Sequence, residues 1–139
     1  MDRGRGFLVL FFESLLAHLA GDYLIQSDWM ATEKVKRWWP AIVHGTTYGL
    51  PFLLITQSPL ALAVIVATHV VLDRYRAAKY LVWARNLLAP ASRRVAWADV
   101  QKNQGSPVAV PSGLANALVI VADNTVHLAI NAAALACWG

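Results

Sequence analysis

Three times in this chain a histidine and an aspartate stand four residues apart beside or within an apolar run: His18 with Asp22, His69 with Asp73, and Asp123 with His127. On a helix that spacing stacks the two side chains on one face, one turn apart. The fourth histidine, His44, lies at the start of another apolar run. All four histidines therefore fall in apolar segments, and three have an acidic partner one turn away. A fold for this chain must give seven polar groups a reason to be there.

The surroundings sharpen that constraint. Hydrophobic residues make up 58% of the chain and charged ones 14%, where soluble domains average about 25% charged. With a mean hydropathy of +0.47, the composition predicts a membrane protein, and 139 residues predict a single domain, 1–139. The net charge of +4 does not point to nucleic acid. The bases cluster beside apolar segments instead of alternating with exposed aromatics, as juxtamembrane bases facing anionic lipid do. The one cysteine, Cys137, excludes an intrachain disulfide and a cysteine-based zinc site. Any metal here is held by nitrogen and oxygen.

Hydrophobic periodicity predicts an all-α fold, a four-helix transmembrane bundle with a basic interfacial segment between helices three and four. The helices cover about 7–25, 41–56, 59–88 and 113–138, and the interfacial segment about 89–112. In the first, Ser14, His18 and Asp22 form one polar stripe, with Glu13 off it. Arg3 and Arg5 ahead of Phe7 imitate a signal peptide, but cleavage near Ala20 would discard His18. Between helices one and two, Trp29, Trp38 and Trp39 flank a basic connection, as at a membrane–water boundary. Pro40 suits a first helical turn, and Pro51 predicts a kink. The third helix runs past Asp73 as one long element through Trp83. Ser92 is placed to cap a short interfacial helix reaching about Lys102, with Arg93 and Arg94 toward headgroups.

With four crossings, the loops after helices one and three share a side. They hold Lys34, Lys36, Arg37, Arg74, Arg76, Lys79, Arg85, Arg93, Arg94 and Lys102, which is ten of the twelve Lys and Arg. The positive-inside rule places those ten in the cytoplasm of a multi-pass membrane protein, with both termini outside and Arg3 and Arg5 on that outer side. His18, Asp22, His44, His69 and Asp73 then all lie in the inner half of the bundle, with Asp123 and His127 deeper.

Imidazole and carboxylate together suit a divalent metal, zinc or manganese, as one or two ions. The expected ligands are His18, Asp22, His44, His69, Asp73, Asp123 and His127. Of these, Asp22, Asp73 and Asp123 are candidates for catalysis as ligands or general base. Lys34, Arg74 and Arg76 are candidates to hold an anionic headgroup. The plainer account of the same residues is polar glue between helices, or a proton or cation path.

The stretch from His18 through Gly21-Asp22-Tyr23 to Trp29-Met30, then Lys34, His44, Thr68-His69-Val70-Val71-Leu72-Asp73 and Asp123-Asn124-Thr125-Val126-His127-Leu128, resembles a family of small bacterial and phage membrane proteins. That family is domain of unknown function 3307. Its last motif usually reads Asp-Gln-x-x-His, where this chain has Asn124. Its third motif usually carries a lysine soon after the aspartate, where this chain has Arg74, Arg76 and Lys79. The resemblance implies no established activity. More distantly, the pattern is similar to membrane-bound metal-dependent hydrolases, which also set His and Asp on transmembrane helices. The expected function is metal-dependent hydrolysis of an ester or phosphoester, with the lipid bilayer as environment and a lipid-like substrate. The alternatives are an ion- or proton-binding, transporter-like protein that would need to oligomerise, or a phage-encoded interaction protein whose partner is another membrane protein.

Overall fold

The apolar run that begins at Phe7 forms helix α1, Phe7–Leu19, in a computed structural model that describes residues 6–139. Arg3 and Arg5, assigned above to the outer side, lie outside the described residues. At Ala20 the helix widens into a π-helical turn, Ala20–Ile25, which carries Asp22. Turns of this kind recur at functional sites. Gly21 fits it to its neighbour, since a Cβ there would stand 2.5 Å from Tyr48 Cδ2.

The polar connection is partly helical. Ser27 Oγ accepts from the Met30 N–H at 3.4 Å and caps α2, Asp28–Glu33. Lys36 and Arg37 sit at 2.8 and 3.3 Å from the Glu33 carboxylate. The Lys36 ammonium, with help from Arg37, holds that carboxyl below its usual range. Helix α3, Trp38–Gly49, has Pro40 in its first turn, where a missing N–H costs nothing. The kink expected at Pro51 is realised as a change of helix type, to a 3-10 segment over Leu50–Leu54. Proline removes an i→i−4 bond, and the tighter helix is the local answer.

Helix α4, Pro59–Tyr75, ends at Arg76, whose φ of 49° lies in the left-handed region. The single helix expected over 59–88 is therefore two, with α5 at Ala78–Asn86. Helices α3 and α4 pack closely because a Cβ on Gly45 would collide with Val70 Cγ2. The chain divides into two compact units, the first ending at Tyr75 and regaining His127–Gly139, the second being Arg76–Val126. The first has its core at Ala17, Tyr48, Phe52, Ile65, Ala134 and Leu135. The second packs Ala78, Val82, Val119 and Ala122 together.

In the second unit the helix expected from Ser92 to Lys102 does not form. Two 3-10 turns, Ala91–Arg93 and Trp97–Asp99, take its place. Tertiary contacts outbid helix propensity there: Trp83 Nε1 donates to Val95 O at 2.9 Å, and Trp97 stacks on Tyr80 at 5.3 Å. Helix α6 is Ser112–Trp138, one residue earlier than expected at its start.

Among the described residues regular structure is helical throughout, with no strand. The expected crossings number four. Among the described residues two helices, not four, are long and apolar enough to cross a membrane, Leu8–Ile25 and Ser112–Trp138.

Candidate metal centre

Four side chains from three segments meet in the first unit. The π-helical turn gives Asp22, α3 gives His44, and α4 gives His69 and Asp73. The two imidazoles face each other Nε2 to Nε2 at 2.9 Å. Asp73 Oδ2 lies 3.1 Å from His44 Nε2 and 3.2 Å from His69 Nε2. Asp22 Oδ1 lies 3.3 and 3.4 Å from the same two nitrogens. Both histidines are fully buried and Asp73 nearly so. One ligand atom from each of the four lies within 4.8 Å of the other three, close enough to share a metal ion.

Those separations have a specific meaning. Ligands about 2.0 Å from a tetrahedral ion are about 3.3 Å from each other. Asp22 Oδ1 is also buried without a hydrogen-bond partner among the described residues, despite its two nitrogen neighbours. The other three atoms have partners: the two Nε2 atoms face each other, and Asp73 Oδ2 accepts from Lys34 Nζ at 2.6 Å. The separations suit a shared ion, and the bonds suit polar contact between helices. The donor set of two imidazoles and two carboxylates fits a divalent ion.

The other two histidines stand outside this nest, each beside one of its carboxylates. His18 Nδ1 is 3.5 Å from Asp22 Oδ2, and His127 Nε2 is 3.9 Å from Asp73 Oδ1. Each aspartate thus turns one oxygen inward and the other toward an outer histidine. His18 Nδ1 also pairs with Tyr48 Oη at 2.9 Å, and Asn131 Nδ2 donates to the same hydroxyl at 2.6 Å. Tyr48 stacks flat on His69, with ring centres 3.6 Å apart and planes 11° from parallel. Ligating imidazoles are usually oriented by a bond from their second nitrogen. Among the described residues His44 Nδ1 and His69 Nδ1 have no such partner, so for His69 the stacked ring does the orienting.

The expected headgroup bases divide. Lys34 points into the nest: its Nζ donates to Asp73 Oδ2 at 2.6 Å and to Gln26 Oε1 at 2.7 Å, and stands 3.2 Å from His44 Nε2. Arg74 instead ties down the connection after α2, donating to the carbonyls of Val35 and Lys36. Its guanidinium lies 5.6 Å from the centre of the Trp38 ring. Arg76 is exposed and belongs to the second unit, as does the half-buried Asp123.

Sequence reasoning passed over Tyr48 and Gln26. Both carry the signal that found the histidines, for Tyr48 follows His44 by four residues and Gln26 follows Asp22 by four. The chain matches no curated protein and no solved structure. The model of one family, described as a protein of unknown function (DUF3307), matches residues 10–134. That range takes in every residue of the nest and both outer histidines, and the chain belongs to this family.

Proposed function

We propose that this chain is a multi-pass inner-membrane protein that binds a divalent metal through Asp22, His44, His69 and Asp73 and uses it to hydrolyse an ester or phosphoester. The observation that carries the reading is the set of five donor separations between 2.9 and 3.4 Å around the two Nε2 atoms. A bound divalent ion supplies Lewis-acid polarisation of the substrate and a more acidic water. The chain's own contribution is to hold the four donors, with His18 3.5 Å from the outer oxygen of Asp22. A membrane setting is supported by large apolar side chains left facing outward in the first unit, such as Leu8, Leu16, Leu24 and Leu54. The bases after α1 and α4 favour the cytoplasmic side for the loops that carry them.

A second reading, an ion-binding protein without turnover, is favoured by one observation. Four protein donors already complete a tetrahedral shell, and catalytic zinc sites keep a position open. Metal analysis of the purified protein comes first, with His69→Ala as control. Stoichiometric zinc or manganese, lost in the variant, supports metal binding; its absence overturns both readings. Lipid extracts and generic phosphoester substrates compared with and without the loaded protein then separate them. Turnover that disappears in His69→Ala supports hydrolysis, and metal without turnover leaves the second reading.

A further inference from the structure

Lys34 is the group at the nest that the ligand set does not account for. An ammonium has three hydrogens, and Lys34 Nζ has two oxygen acceptors, Asp73 Oδ2 at 2.6 Å and Gln26 Oε1 at 2.7 Å, with His44 Nε2 at 3.2 Å as the third in the tautomer that leaves that nitrogen unprotonated. It is saturated, so in this arrangement it has nothing left with which to hold an anionic headgroup. Two of its three acceptors are also two of the four atoms aimed at the metal position. An imidazole nitrogen has a single lone pair. His44 Nε2 can give it to an ammonium hydrogen or to a metal, and not to both. A divalent charge a few ångströms away would also repel the ammonium strongly. The Lys34 contact to His44 Nε2 and a metal on that nitrogen are mutually exclusive, whereas at Asp73 Oδ2 the ion and the ammonium compete through charge.

Charge points the same way. Asp22 and Asp73 bring two negative charges and Lys34 offsets one of them. A divalent ion offsets both aspartates by itself, and Lys34 then becomes a surplus positive charge at the rim. Lys34 is placed to move: it is the residue that ends the short helix α2, on the connection between the π-helical turn and α3, and its side chain is 16% exposed. We propose that Lys34 is a resident counter-cation, displaced from Asp73 and His44 by an incoming divalent ion and thereby released to hold an anionic group of the substrate beside that ion. This rests on the metal reading above and names the substrate class, a phosphate or carboxylate monoanion.

The test uses the full chain in detergent micelles with zinc as the probe. Acylation of Lys34 by an amine-reactive ester is followed by peptide mass spectrometry, with the exposed Lys36 and Lys102 as references. Zinc should accelerate labelling of Lys34 severalfold and leave the references unchanged; an unchanged or slower rate at Lys34 overturns the exchange. In Lys34→Met, zinc affinity measured by chelator competition should tighten on the order of tenfold, because a competing positive charge is gone. Weaker zinc binding would mean that Lys34 supports the ion, which also overturns it. Anion binding by the zinc-loaded protein is measured with inorganic phosphate in neutral micelles and, separately, with phosphatidylglycerol in mixed micelles. One arm or the other should weaken on the order of tenfold in Lys34→Met, and no change in either overturns the anion role. If that variant does not fold, the wild-type labelling decides. A wild-type protein that binds no zinc or manganese sinks the metal reading itself, whereas bound metal with unresponsive Lys34 sinks the exchange alone.

Discussion

His44 and His69 meet Nε2 to Nε2 at 2.9 Å because α3 and α4 touch at Gly45. The residue beside His44 has no side chain, and Val70, beside His69, fills the space. The distance between two candidate ligands is thus set by a packing contact one residue away from each.

Gly45→Ala should therefore damage fold and site together. The added methyl meets Val70 Cγ2, and overpacking of this kind costs about 1–3 kcal/mol. The expected result is a lower thermal midpoint in micelles and weaker metal binding. Val70→Ala in the same chain should restore most of both. A single variant that melts and binds like the wild type would show that the helices do not need this closeness.

Inner and outer histidines should differ in kind. His69→Ala removes a donor, and metal retained after dialysis against chelator should fall below about a tenth of the wild-type value, as loss of one of four ligands implies. His18→Gln leaves all four donors in place and removes the ring that stands 3.5 Å from Asp22 Oδ2 and pairs with Tyr48 Oη at 2.9 Å. Changes at that remove typically cost about 10–100-fold in affinity. Metal should still bind when supplied in excess. Equal losses in both variants, measured by elemental analysis, would erase the distinction.

The parts of the site that were legible in the sequence are those that a helix fixes locally. His18 with Asp22, and His69 with Asp73, announce themselves by spacing, and apolar surroundings show which helix faces turn inward. What spacing does not carry is distance between elements. Nothing within a few residues of Lys34 says that its side chain reaches Asp73, thirty-nine positions on; that depends on the Ser27 cap, the short helix after it and the Arg74 hold on Val35 and Lys36. The three pairs also look equivalent in sequence, whereas in the structure the Nε2 atoms of His44 and His69 meet one oxygen each of Asp22 and Asp73, a set drawn from two of the pairs and from the unpaired His44. The break at Arg76 was hidden for another reason. Arginine favours helix, yet Arg76 takes a φ of 49° and its carbonyl accepts from the Lys79 N–H at the start of α5, a local turn that its residue type does not announce. Likewise, the residues from Ser92 to Lys102 read as a capped helix, and the indole contacts of Trp83 and Trp97 override that reading.

Tyr48→Phe separates two roles of one side chain. The ring stays on His69, at 3.6 Å, while the hydroxyl that joins His18 to Asn131 is lost. Leaving buried polar partners short of a bond costs about 1–3 kcal/mol. Stability should drop by that amount in denaturation followed by tryptophan fluorescence, and metal binding should persist. Loss of metal equal to that in His69→Ala would make the hydroxyl, and not the stack, the feature that holds the nest.

The topology can be tested where it is tightest. Helix α3 has 12 residues and the 3-10 segment after it has 5. At rises of about 1.5 and 2.0 Å per residue they reach about 28 Å, close to the hydrocarbon thickness of about 30 Å. The change of helix type at Pro51 thus lengthens this element. If α3 with this extension crosses, Lys36 and Gln57 lie on opposite sides. In a Cys137→Ala background, a cysteine replacing Gln57 should react with an impermeant maleimide in intact spheroplasts, and one replacing Lys36 only after lysis. Both positions are exposed in the structure, so burial will not mimic protection. Labelling of both from the same side would mean that α3 does not cross, and the inner-leaflet placement of His44 would fall with it.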